Sequence, residues 1–468
     1  GGTDNIKYYL SGGFDHQTGV VPEISQDVFN VRSNVDANIT SKLKLSFDLR
    51  YILKQKDEVN GLDGIITDIY KMNPTQVGYY TDGTYGYNSS NIVNPIAYLH
   101  ETGHEANDTH DVSGIFKLEY EILDGLKFTG LANVNYVFGN ITTIGRQYNF
   151  TNYFTKEEIP FGQNTLSEKR TLKSYYNLQA LLTYQKKIKE HSFDVMLGYQ
   201  QENQKDDWIS AYRDGFPTDL VHVIDGGSKD NWENGGNAEH WSIASFIGSL
   251  NYDYASKYLL TFKVRTDGSS RLASGKRWST FPSVAGAWRI TGEDFMESTS
   301  SFLDDLKLRA SWGITGASSG VGLYPSYTTI GMGGVVLNNV YRQTAYLKTL
   351  GNTDLGWEKT NMVDVGLDMS LFNNRLGVTF DYYIKKTNDI LIELPVPLEY
   401  GLGKPKVNVG TVRNNGWELS LNWNDKIGGV TYHIQGNLSD NKNEVLDLGG
   451  TGPWVSGCRT TYEFFVWV

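Results

Sequence analysis

One cysteine, Cys458, stands among 468 residues, so no internal disulfide can form and a cluster of metal-binding thiolates is excluded. No run approaches the roughly 18 apolar residues of a membrane-spanning helix. That absence leaves open a membrane protein built of strands, whose apolar residues fall on alternate positions. Cationic excess is missing too: 42 Lys and Arg face 53 Asp and Glu, a net charge of -11 that weighs against a nucleic-acid partner. The chain opens Gly-Gly-Thr-Asp without a methionine or a signal peptide, which reads as a mature or truncated polypeptide.

What the chain has in quantity is 30 Tyr, 11 Trp and 50 Gly, the composition of a strand-rich and loop-rich protein. The stretch from Asp27 to Tyr51 sets the pattern. Phe29, Val31, Val35, Ala37 and Ile39 make one face, against Asn30, Arg32, Asn34, Asp36 and Asn38 on the other. After a polar turn at Ser41 and Lys42 the alternation resumes, with Leu43, Leu45, Phe47, Leu49 and Tyr51 against Lys44, Ser46, Asp48 and Arg50. Two strands of about ten residues on a minimal turn form a hairpin. Apolar side chains facing lipid and polar ones facing a wet lumen fit a bilayer-crossing length of about 9 to 11 residues.

The same alternation recurs at Ile6 to Phe14, Val112 to Ile122, Leu126 to Phe138, Tyr176 to Tyr184 and Phe193 to Tyr199. It continues at Phe246 to Tyr252, Tyr258 to Val264, Pro282 to Ile290, Leu306 to Trp312, Val363 to Leu371, Leu376 to Ile384, Trp417 to Trp423 and Val430 to Leu438. Period-two counting gives about fifteen strands. Tight turns, such as Asp124-Gly125, Lys187 to Glu190 and Asn373-Asn374, alternate with long connections: Gln55 to His110, Asn140 to Leu172, Glu202 to Glu239, Thr315 to Glu358 and Asn388 to Thr411. Outer-membrane barrels have this asymmetry of short periplasmic turns and long extracellular loops. The expected fold is therefore all-β, a transmembrane antiparallel β-barrel. Gly61 to Met72 is expected to form a short amphipathic helix inside one loop, and Gly292 to Asp305 a short helix or ordered turn.

One catalytic pattern competes. His100-Glu101-Thr102-Gly103-His104 fits H-E-x-x-H, with His110 as a third imidazole and Glu101 as general base on a zinc-bound water. Asn107 replaces the expected glycine, Asn94-Pro95 and Gly103 leave little helix, and strand alternation starts at Val112, so three solvated loop histidines are the better reading. The Gly331 to Gly334 cluster and Gly401-Leu402-Gly403 read as flexible loop, and Asp440 to Asn443 as a surface turn without the EF-hand glycine and glutamate. Tyr79, Tyr80, Tyr85 and Tyr87 crowd one long loop, and Trp208 and Trp232 another; these are the candidate substrate-stacking residues, set against an interfacial girdle or loop packing. Trp278, Trp288, Trp312, Trp417 and Trp423 fit an interfacial girdle.

Arg265, Asp267-Gly268-Ser269-Ser270-Arg271, Arg277-Trp278, Phe281-Pro282-Ser283, Trp288-Arg289-Ile290, Leu306 to Gly316, Trp357-Glu358-Lys359-Thr360, Asp381-Tyr382-Tyr383, Asn388-Asp389-Ile390 and Asn408 to Trp417 follow in order. Together they resemble the barrel of SusC-like (RagA-like) TonB-dependent outer-membrane transporters. Asn94-Pro95 to Leu99 and Leu118 to Ile122 fit the same resemblance. It implies that residues 1–468 are the middle of a 22-stranded barrel, with the plug, the TonB-contacting segment and the last strands lying elsewhere. It further implies TonB-coupled import of an oligosaccharide or peptide across the outer membrane of a Gram-negative bacterium, under a SusD-like surface lipoprotein. No catalytic residue, metal or cofactor is expected, and outer-membrane lipids are expected to surround the barrel. Asn30, Arg32, Asn34, Asp36, Asp48 and Arg50 are expected to line the lumen. The alternatives are a passive porin or adhesin barrel, and the zinc metalloprotease of His100, Glu101, His104 and His110.

Overall fold

The computed structural model of the chain describes residues 1–87, 94–152, 155–395, 397, 399 and 401–450; Cys458 lies outside them. The first strands are β1 (Ile6–Thr18), β2 (Ser25–Asn38) and β3 (Leu43–Val59), followed by helices α1 (Leu62–Lys71) and α2 (Pro95–Glu101). Then come β4 (Gly103–Leu123), β5 (Leu126–Gly145), β6 (Tyr148–Thr151), β7 (Glu158–Phe161), β8 (Thr165–Ile188) and β9 (His191–Arg213). Next are β10 (Trp232–Tyr254), β11 (Tyr258–Ser269), β12 (Trp278–Arg289) and β13 (Leu303–Ala317). The remaining strands are β14 (Thr329–Leu337), β15 (Val340–Thr349), β16 (Glu358–Leu371), β17 (Leu376–Glu393), β18 (Lys406–Ile427) and β19 (Val430–Leu448). Fifteen strands form one sheet in chain order, while β6–β7 and β14–β15 are separate two-stranded hairpins.

The fifteen sheet strands coincide one for one with the fifteen alternating stretches, because register obeys the same period of two. Across β2 and β3, Val31 faces Tyr51 and Val35 faces Phe47, while Arg32 faces Arg50 and Asn34 faces Asp48. Across β13, β16, β17 and β18, Ala310, Val365, Tyr382 and Trp417 stand in one row, and Arg309, Gly366, Asp381 and Glu418 in the next, on the opposite face. The apolar rows stay uncovered: Val365 and Tyr382 are each 46% exposed. α1 also occupies the expected stretch, and Asp294–Thr299 forms a 3-10 turn.

Strand length departs from expectation. β4 has 21 residues and β8 has 24, about twice the bilayer-crossing length, so strand pairing continues into stretches that read as loop. Two smaller readings are corrected. Gly331 to Gly334 lie in β14, not in a loop, since the rings of Tyr346 and Tyr341 lie over this strand; a Cβ on Gly331 would come within 2.6 Å of Tyr346. Asp440 to Asn443 lie within β19, with Asp440 opposite Trp417 and Asn441 opposite Gly416, so they form a strand rather than a turn. Asn338 and Asn339, both at positive φ, close the β14–β15 hairpin as a two-residue turn requires.

By contact the chain divides into two units. Unit 1 comprises residues 1–119, 131–178 and 203–240, and its buried apolar clusters lie in the long connections and adjoining strand ends. One holds Ala97, Tyr148 and Phe150; the other holds Ile144, Leu166 and Phe216. Unit 2 comprises residues 120–130, 179–202 and 241–468. Its cluster joins Leu272, Phe281, Val321, Leu355 and Trp357, at the ends of β11 to β13 and in the segment before β16. In both units the apolar interior sits among connections, and the strands present apolar rows outward.

Candidate functional site

In unit 1 the six expected lumen residues share one face of β2 and β3, with Asn30 opposite Ile52 and Asp36 opposite Ser46. The Asp48 carboxylate holds that face together: Arg32 Nε donates to it at 3.3 Å and Asn34 Nδ2 at 3.1 Å. Arg50 makes a second set of contacts, to β4, donating to Ser113 Oγ at 3.2 Å and standing 3.7 Å from Asp111. Asp111 in turn accepts from Asn135 Nδ2 on β5 at 2.6 Å. Asp36 pairs with Lys44 at 3.5 Å. Asn30 lies apart from these contacts, beside Gly13, where a Cβ would meet its amide at 2.7 Å.

The loop aromatics divide. Tyr79 and Tyr85 form an isolated bridge with their rings 5.1 Å apart, and the Tyr85 hydroxyl donates to Glu101 at 2.9 Å. Burial, then the Glu101 carboxylate, pushes the Tyr85 phenol well above its ordinary pKa. Tyr87 lies 6.1 Å from Phe150 and packs on the same cluster as Tyr85. Tyr80 stays in the turn, its backbone N–H bonded to Thr84 O at 2.8 Å. Trp208 on β9 carries Lys169 over its ring at 4.7 Å, and Trp232, at the start of β10, is 60% exposed. Tyr85 and Tyr87 thus belong to a packed loop core, whereas Tyr79 and Trp232 keep open surface.

The histidines do not form a zinc-protease helix. α2 ends at Glu101, and His104 and His110 stand on β4, so His100 and His104 are not one helical turn apart. His100 pairs with Glu23, and His110 Nδ1 lies 2.8 Å from the Tyr51 hydroxyl. Among the described residues no group of three or more His, Cys, Asp or Glu is placed to hold a metal.

A second polar constellation, in unit 2, escaped the sequence reading. A cavity of about 1000 Å³ opens against β9 to β13, walled by Lys263, Arg265, Asp267, Ser283, Phe281 and Trp357 among others. Arg265 is clamped: its Nε donates to Asp267 at 2.6 Å, Nη2 to Ser245 at 2.8 Å and Nη1 to Gln200 at 3.2 Å. Trp357 Nε1 donates to Arg277 O at 2.8 Å, and the Phe281 ring covers Gly316 so closely that a Cβ there would be at 2.0 Å. The wall comes from strands and connections far apart in sequence. Its local signals were the Arg265-to-Arg271, Phe281-Pro282-Ser283, Leu306-to-Gly316 and Trp357-Glu358 stretches.

The family pattern described as "TonB dependent receptor-like, beta-barrel" matches residues 30–465. The chain belongs to this TonB-dependent receptor β-barrel family. Among relatives, TonB-dependent receptor P26 of Formosa agariphila is 32% identical over 461 residues, covering 96% of this chain and 45% of the relative. TonB-dependent receptor SusC of Bacteroides thetaiotaomicron is 27% identical over 496 residues, covering 96% and 46%. The solved structure of the RagAB peptide transporter has the same fold, with a TM-score of 0.78 at 22% identity over 96% of this chain and 50% of that one. The chain spans about half the length of the curated relatives it matches. A TonB-dependent receptor barrel is an outer-membrane protein and not an enzyme, which removes Glu101 from any catalytic role.

Proposed function

We propose that this chain is barrel wall of a TonB-coupled importer that takes up an oligosaccharide or peptide under a SusD-like surface lipoprotein. The observation that carries the reading is the strand face itself. Linked polar side chains from Arg32 through Asp48, and from Arg50 through Asp111 to Asn135, back onto apolar rows. Two hydrogen-bonded polar groups on one strand face suit the wet interior of a barrel. The likeness to SusC and RagAB supports the choice of importer over a passive porin.

In this reading Asn30, Arg32, Asn34, Asp36, Asp48 and Arg50 line the lumen. Tyr79, Tyr80, Tyr85, Tyr87, Trp208 and Trp232 shape the entrance, Tyr79 and Trp232 with the most open surface. Residues 1–468 form barrel only, and the plug and TonB-contacting segment belong to other parts of the transporter.

Mass spectrometry of the native polypeptide and its companions, after mild detergent extraction of membranes, tests this. A chain about twice as long, arriving with a lipoprotein, is expected. A lone 52.5 kDa polypeptide in the soluble fraction overturns it.

A further inference from the structure

Five charged side chains line the unit 2 cavity, and four are engaged. Arg265 and Asp267 hold each other at 2.6 Å. Glu202 accepts from Gln200 Nε2 at 2.6 Å, and Asp194 accepts from Gln185 Nε2 at 2.7 Å. The fifth, Lys263, has no side-chain hydrogen bond or ion pair among the described residues.

Lys263 has neutral neighbours in the sheet. Ser249 on β10 and Ser283 on β12 stand directly opposite it, and both line the cavity. Opposed residues on one face of a sheet bring their Cβ atoms to about 4.5–5.5 Å, so two hydroxyls border the ammonium. Along β11, Arg265 shares its face but is neutralised by Asp267. The aromatic walls offer little stacking surface, because Phe281 and Trp357 are only 7% and 6% exposed and turn into a packed cluster. The cavity therefore anchors a ligand through charge and hydrogen bonds rather than through a ring face.

An ammonium with three free donors, bordered by two hydroxyls, is complementary to an oxyanion, although Asp194 and Glu202, which accept from neutral amides, keep their negative charge in the same cavity. We propose that Lys263, with Ser249 and Ser283, binds a carboxylate group of the transported cargo. Water solvates the lysine when no cargo is present, and the cargo's oxyanion replaces that water. The volume of about 1000 Å³ lies at the upper end for ligand cavities and accommodates more than the anionic group itself. The oxyanion comes from an acidic oligosaccharide or from the carboxylate of a peptide. This inference rests on the importer reading above.

The test uses the full-length transporter isolated from membranes, titrated calorimetrically with matched probes. These are tetragalacturonate and its methyl ester, and a tetrapeptide with a free carboxylate and its amide. Lys263 is exposed to the cavity's water, so the native protein should bind one anionic probe about fivefold more tightly than its neutral counterpart, the upper scale of a solvent-exposed charge pair. Lys263→Met should erase that preference, Lys263→Arg should retain it, and added salt should weaken it. The pair that discriminates identifies the source of the oxyanion. Heat-modifiable gel mobility verifies that the variants are folded.

The subsite is overturned if Lys263→Met stays within about twofold of the native affinity for both anionic probes, or if neither anionic probe is preferred. Co-purification of a lipoprotein is scored in the same preparations. Its absence overturns the importer reading, while an intact complex with binding indifferent to Lys263 overturns the subsite alone.

Discussion

The Arg309 guanidinium grips Asp368 with two hydrogen bonds, Nε to Oδ2 at 2.8 Å and Nη2 to Oδ1 at 3.0 Å. The same Nη2 lies 2.9 Å from Asp381, so one cation on β13 ties β16 to β17. Gly366 permits the arrangement: a Cβ there would stand 2.3 Å from Asp381 Oδ1 and 2.7 Å from Arg309 Cζ. Gly366→Ala is expected to push the guanidinium off its carboxylates and to destabilise the refolded protein by about 1 to 3 kcal/mol. Urea unfolding in detergent micelles measures it, and an unchanged midpoint would show that the glycine is dispensable.

The two faces of the sheet should respond differently to charge. Val365, 46% exposed between Ala310 and Tyr382, lies on the apolar face, whereas Thr379 stands opposite Asp368 and Ser420 on the polar face. Val365→Arg should cost about 2 to 4 kcal/mol in lipid and Thr379→Lys much less. Folding titrations in bilayers distinguish the two, and equal costs would contradict the assignment of faces.

The turn after β12 should be acid-sensitive. Hydrogen bonds from Tyr258 and from Trp288 Nε1, the latter at 3.1 Å, hold the Glu293 carboxyl below the ordinary glutamate range, with Lys257 3.4 Å away. A carboxylate with a depressed pKa stabilises the folded state fully above its unfolded value, and the contribution fades as pH falls through the folded value. Stability measured from neutral to acid pH should therefore decline, and Glu293→Gln should flatten part of that decline. Superimposable pH profiles for the two proteins would contradict this role.

The connection cores can be tested apart from the sheet. Phe150 is 2% exposed and touches Tyr87, Tyr148 and Phe161. Phe150→Ala removes a buried ring of the kind whose loss costs about 3 to 5 kcal/mol. Limited proteolysis should then cut near Tyr85 and Tyr87 while the strands stay protected. Cleavage spread over β2 and β3 would mean that the connections and the sheet unfold together.

The strands were legible because alternation is written residue by residue. Phe29, Val31 and Val35 against Asn30, Arg32 and Asn34 already fixed the faces that the β2–β3 register displays. The strand extensions were not legible: the start of β4, Gly103 to Asp111, carries polar residues on both faces, so nothing local separates a paired strand from a loop there. The β14–β15 hairpin was hidden by its glycines, which read as flexibility until Tyr341 and Tyr346 are seen lying over them. The cavity was invisible for a different reason. Glu202, Lys263, Ser283 and Trp357 meet only through the sheet, and no window of sequence contains them together.

The buried apolar clusters sit in the connections, and the strands keep their apolar rows outward, so the two parts of the chain answer to different solvents. Clusters such as Ala97, Tyr148 and Phe150 are held by exclusion of water, a force that fades on cooling and leaves a large heat-capacity signature when lost. In the proposed membrane setting the outward rows would stay in an apolar medium, and the ladder hydrogen bonds that fix them would gain from the absence of water around them. Cold should thus loosen the connections while the wall stays rigid.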